Sequence, residues 1–174
     1  MTLQISITEP HTAIEISKWF IQKELDKADT KKDGNIKLQK LLFFAWLIHF
    51  QKFGKSLFDD DFKAYPKGPV VDSVRQVYYD LAAENIPDFS ENINETLRLT
   101  KDIFGHATVK ELVDLSHKSP TWEKYSKISP QKKEDDIEFK YDPIIPKTEL
   151  DEEIRMIGNV LFVQKNMLSD SECV

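Results

Sequence analysis

The sequence predicts a mainly α protein: a single-domain multi-helix bundle around a buried central helix, with a small β element at most. Three observations carry that prediction. Apolar residues recur at helical spacing in several segments. Two of those segments open with a Thr-x-x-Glu box, Thr12 with Glu15 and Thr108 with Glu111. Between Leu38 and Phe53 the middle of one helix is apolar on every side, the mark of a helix buried all round.

The elements follow in order. Leu3, Ile5 and Ile7 alternate with polar residues and suggest a short strand. A first helix opens between Thr8 and Thr12, with Pro10 in its first turn, and runs to about Ala28 on an Ala13, Ile16, Phe20 stripe. The segment DTKKDGN reads as a polar turn. The central helix spans 36–53, and Gly54 ends it. Phe62, Ala64 and Tyr65 form a short strand, paired with the N-terminal one. Pro66 and the Gly68-Pro69 pair then force a corner.

A third helix starts between Pro69 and Asp72, buries Val74, Val77, Tyr78 and Leu81, and ends before Pro87. The stretch DFSENINETLRLT reads as a short helix or a two-turn connection, and Gly105 breaks the apolar patch at Ile103 and Phe104. Thr108 opens a further helix with Leu112, Leu115 and Val109 or Val113 inward, stopped by Pro120. From Trp122 to Tyr141 the pattern is an exposed, charged connection with some helix. DPIIP is a short extended piece, and Thr148 caps a last helix with Leu150, Ile154, Ile157 and Leu161 on its core face. A rough count gives five to seven helices. Residues 1–168 form one domain, and 169–174 a flexible tail.

Composition narrows the function classes. A net charge of −6 disfavours nucleic-acid binding, which rests on Lys and Arg neutralising phosphates. The single cysteine, Cys173, excludes an internal disulfide and a Cys-based zinc site, and fits a reducing, cytoplasmic setting. The run Leu41 to Ile48 is far short of the ~20 apolar residues that span a bilayer, so no membrane association is expected.

No phosphate-loop, dinucleotide or nucleophile-elbow motif is present, so the expected protein is no enzyme and takes no cofactor. Asp59, Asp60 and Asp61 lack the alternating ligands, glycine and distal Glu of a calcium loop and read as a solvated turn. A metal-dependent hydrolase using these aspartates or His117 is the third-ranked option. His49 falls on the central helix as a core or boundary histidine, and His117 at a helix end, where an imidazole complements free carbonyls. The segment 55–69 is too long for the turn of a helix-turn-helix. Trp19 lies off its helix's apolar face, a position for an interface anchor.

The motif Leu38-Gln39-Lys40-Leu41-Leu42-Phe43-Phe44-Ala45 is followed by Leu57-Phe58-Asp59 and by Ala64-Tyr65-Pro66-Lys67-Gly68-Pro69-Val70. Later come Leu115-Ser116-His117 and Pro120-Thr121-Trp122. In order and spacing these resemble the Panacea domain, the SocA-like antitoxin family often labelled phage-associated protein. Three features depart from the family pattern. Tyr65 stands where the family has Trp, Phe43 and Phe44 replace a tyrosine pair, and Thr121 separates Pro120 from Trp122.

The resemblance implies an antitoxin that neutralises a cognate toxin, encoded nearby in a bacterial or phage setting, by direct protein–protein binding. The alternative is a proteolytic adaptor or general phage-associated interaction module that delivers a partner to an ATP-dependent protease through its chaperone. The resemblance implies neither metal nor catalysis. The partner-binding candidates are Asp59, Tyr65, Lys67, Pro69, His117 and Trp122, because the family motifs lie there and loops often carry binding.

Overall fold

The computed structural model describes residues 11–128 and 142–172. Among these residues there are seven α-helices and a small sheet, the mainly α architecture that the periodicity predicts. The strand expected at Leu3–Ile7, the first-turn Pro10 and Cys173 lie outside the described residues, as does most of the connection before Tyr141.

The first helix, α1 (Ala13–Gln22), is capped by Thr12, whose side chain accepts from the Glu15 amide. The box is only half formed, because the Glu15 carboxylate is bonded to His11 Nδ1 at 2.6 Å. α1 ends six residues before the expected Ala28. Glu24 takes a positive φ of 58° and turns the chain so that Leu25 enters the core.

The central helix, α2 (Lys31–Phe53), begins five residues earlier than the sequence predicts. Thr30 caps it through the Asp33 amide, so the presumed polar turn is its first helical turn. Gly34 is needed inside that turn, since a Cβ there would lie 2.5 Å from the Tyr78 hydroxyl. From Leu38 to His49 every residue is buried, and Gly54 ends the helix in the left-handed region.

Next come β1 (Phe62–Tyr65) and β2 (Gly68–Val70), a tight hairpin, and then α3 (Asp72–Val77) with a 3₁₀ turn at Tyr78–Asp80. Helix three therefore stops before Leu81, shorter than expected. α4 (Glu91–Phe104) is one continuous helix capped by Ser90, where the sequence pattern is broken. Two of its four buried positions are threonines, Thr96 and Thr100. Each donates its hydroxyl to the carbonyl four residues back, which lets a polar side chain sit in the apolar stripe.

α5 (Val109–Ser116) has the full capping box of Thr108 and Glu111. Leu112 is buried, but Leu115 is 37% exposed rather than inward. Pro120 does not stop α5; it occupies the first turn of α6 (Pro120–Ser126), where its missing N–H costs nothing. β3 (Ile144–Ile145) is the extended piece expected at DPIIP. Thr148 lies in a 3₁₀ turn, and α7 (Asp151–Glu172) starts three residues later with Leu150 and Ile157 buried.

The sheet has the order β2-β1-β3, antiparallel throughout, so the observed neighbours of β1 are β2 and β3. Lys63 pairs with Val70 and Tyr65 with Gly68; Phe62 pairs with Ile145. α4 and α7 both pack on α2, and the hairpin leans on α2 from another side. The core is one cluster centred on α2.

Candidate functional site

The hairpin corner is fixed to α2 by two polar side chains in the middle of its buried run. Gln39 accepts from the Val71 amide at 2.8 Å and donates to the Val71 carbonyl at 3.3 Å, as a neighbouring strand would. The Lys40 ammonium, fully buried, donates to the Pro69 carbonyl at 2.9 Å. Burial pushes Lys40 down to about 7. Gly68 has φ +109°, and a Cβ there would lie 2.4 Å from Ser116 Oγ and 2.9 Å from Lys40 Nζ. Only glycine fits a backbone that close.

The other side of the corner is closed by α5 and α6. The Trp122 indole N–H donates to the Tyr65 carbonyl at 2.8 Å. Its ring stacks on His117 at 4.3 Å, and His117 Nε2–H donates to the Pro66 carbonyl at 3.1 Å. Ser119 caps α6 through the Trp122 amide, which orients the indole. Thr121, between Pro120 and Trp122, donates its amide to Glu153 Oε1, which anchors α6 to α7.

The Tyr65 hydroxyl donates to Asp72, which also takes Lys63 at 2.6 Å and Arg75 at 2.9 Å. Burial alone would push the Asp72 carboxyl up. The hydrogen bonds from Lys63, Tyr65 and Arg75 outweigh it and hold the group below its ordinary value. Burial, and then the bond to Asp72, push the Tyr65 phenol up. Arg75 also lies over the Tyr65 ring at 5.6 Å.

Four of the six sequence-predicted residues, Tyr65, Pro69, His117 and Trp122, thus meet in one corner. Lys67 is exposed on the hairpin turn beside them. Asp59 is not part of it: it lies exposed before β1, at the strand's other end. The acidic turn is also not wholly solvated. Asp60 accepts from the Ala13 amide at 2.9 Å and from Ser73 Oγ at 2.7 Å, so it caps α1 from another part of the chain. Trp19 is half-buried against the core with Lys23 near its ring, and is no free anchor.

Sequence reasoning missed Gln39, Lys40, Asp72, Arg75 and Ser116. The signal for the first two was present: two polar residues interrupting an otherwise apolar buried run.

Outside the corner lies a groove of ≈ 410 Å³, bordered by Ile36, Tyr65, Lys67, Val70, Arg75 and Tyr79. Tyr79 is 59% exposed at its edge. The polar groups that build the corner are spent on one another, so what it presents outward is shape, aromatic surface and positive charge. No metal-holding cluster of His, Cys, Asp and Glu occurs among the described residues, and no helix among them is long and apolar enough to cross a membrane.

Comparison with curated proteins and with solved structures gave no match. A family model does match, over the segment that begins in α2 and ends in α6 and so holds the whole braced corner. Residues 38–123 match the model described as Antitoxin SocA-like, Panacea domain, and the resemblance read from the motifs holds over that segment.

Proposed function

We propose that this protein is an antitoxin that neutralises a toxin by direct protein–protein binding, without catalysis. The observation that carries the reading is the coincidence of the matched segment with the braced corner. The residues that carry the resemblance, from Gln39 to Trp122, are the ones that hold the hairpin in one conformation. A corner fixed in advance loses little freedom on binding, which favours tight association.

In this reading the toxin meets the surface at Lys67, the edge of Tyr65 and Tyr79, while Pro69, His117 and Trp122 act from behind as braces. Tyr65, bonded to Asp72 where relatives carry Trp, is the position at which partner choice departs from them. The protein acts in the cytoplasm of a bacterium, beside a toxin encoded by an adjacent gene. Delivery of that toxin to an ATP-dependent protease is a finer form of the same reading.

The test is growth. Induction of the adjacent gene product arrests a host strain, and co-expression of this protein restores growth. Arrest that persists despite soluble co-expression contradicts the reading. Rescue that disappears in a strain lacking the protease chaperone assigns the adaptor form.

A further inference from the structure

A second surface lies further along α2, between α4 and α7. Its groove of ≈ 110 Å³ has a floor of Phe43, Phe44 and Leu47, with Phe104 on one wall and Met156 and Val160 on the other. Leu115 and Met156 are each 37% exposed there and Val160 39%. Along α7 the apolar row continues through Val163, 55% exposed, and Met167, 68% exposed. Positions 156, 160, 163 and 167 are spaced four, three and four apart. That spacing forms one seam, the pattern that receives another helix by knobs-into-holes packing. The seam is about 17 Å long at the helical rise of 1.5 Å per residue.

Two polar residues line this otherwise apolar groove, Ser119 and Glu153. Glu153 is 3% exposed; its Oε1 accepts from Ser119 Oγ at 2.7 Å and from the Thr121 amide at 2.9 Å. Its Oε2 is buried with no hydrogen-bond partner among the described residues. A buried carboxylate oxygen left without a donor is costly, and a cationic donor offsets the cost best. The groove therefore asks for an apolar body with one basic group, and the net charge of −6 favours a basic partner over a second copy of this chain.

We propose that this groove receives an amphipathic helix of the toxin, with one lysine or arginine among its apolar anchors reaching Glu153 Oε2. The identity of the partner rests on the antitoxin reading above; the place and chemistry of the contact rest on the groove. Two surface methionines suit the site to a partner helix, since their side chains adapt in shape. Glu153 also joins the groove to the corner: Ser119, which it holds, caps α6 and thereby sets Trp122 against Tyr65.

The experiment uses the full chain and the purified product of the adjacent gene. Val160→Glu places a charge on the seam at an exposed position, and Glu153→Gln keeps the Oε1 acceptor while removing the charge. Both variants are expected to keep the wild-type circular dichroism and to weaken toxin binding at least tenfold. Toxin addition should slow amide hydrogen exchange across 153–167. Wild-type binding that neither variant weakens, with no protection over 153–167, overturns the groove assignment and leaves the antitoxin reading standing. A wild-type chain that does not bind the toxin overturns both. A free chain that sediments as a dimer, and as a monomer after Val160→Glu, assigns the seam to a second copy and also overturns the proposal.

Discussion

The ammonium of Lys40 and the carbonyl of Pro69 are joined at 2.9 Å inside the protein, with no surface of Lys40 exposed. A lysine so placed is held by desolvation near its neutral form. Its value of about 7 in the folded chain lies below the ordinary 10.5. Below pH 7 both folded and unfolded chains carry the proton, and the fold bears the cost of the buried charge. Between pH 7 and 10.5 the unfolded chain binds the extra proton, so stability rises with pH. Unfolding free energies from urea titrations at pH 6.5 to 10 should rise by up to about 1.4 kcal/mol per pH unit from this group. Lys40→Met should lack that rise.

His49 works in the acid range. Thr96 uses its hydroxyl hydrogen on the Asn92 carbonyl, so His49 Nδ1–H is the donor in the 2.7 Å contact with Thr96 Oγ1. Burial first, and the charge of Lys55 second, push His49 down to about 4. The unfolded chain protonates near 6.5 and the folded chain does not, so stability falls as pH drops from 6.5 towards 4. The total loss should be at most about 3 kcal/mol. Acid titrations followed by circular dichroism should show a flatter limb for His49→Leu.

Two glycines with positive φ should respond unequally to alanine. At Gly54, φ is +64° and nothing lies within 4 Å of an added Cβ, so Gly54→Ala should cost about 1 kcal/mol. At Gly68 the added atom also strikes Ser116 and Lys40, and Gly68→Ala should cost roughly 3 kcal/mol or more. Thermal melts of the two variants check the difference.

Asp60→Ala removes the acceptor for the Ala13 amide and for Ser73, and should cost about 1–2 kcal/mol, as loss of a helix cap does. Asp59→Ala, at an exposed position, should stay within about 0.5 kcal/mol of wild type. Urea unfolding of both variants separates a structural aspartate from a solvated one in the same turn.

What the sequence made legible follows from local physics. The all-round apolar run of α2, its end at Gly54 and the Thr108–Glu111 box each depend on residues close together in the chain. α4 was obscured because Thr96 and Thr100 occupy core positions by bonding back to their own helix, which apolar periodicity does not register. The roles of Asp60 and Gln39 were hidden for another reason: their partners, Ala13 and Val71, lie 47 and 32 residues away. The four candidates that do converge carry the family resemblance; the braces behind them, Gln39 and Lys40, belong to the separate motif on α2. Asp59 belongs to one of these motifs too, yet it stands apart from the corner.

The most direct test of the central claim is calorimetric titration of the purified chain with the purified product of the adjacent gene. The account predicts a saturable complex of defined stoichiometry, weakened at least tenfold by Lys67→Glu at the exposed hairpin turn. Absence of binding heat, with both proteins folded and no complex on size-exclusion chromatography, would contradict it.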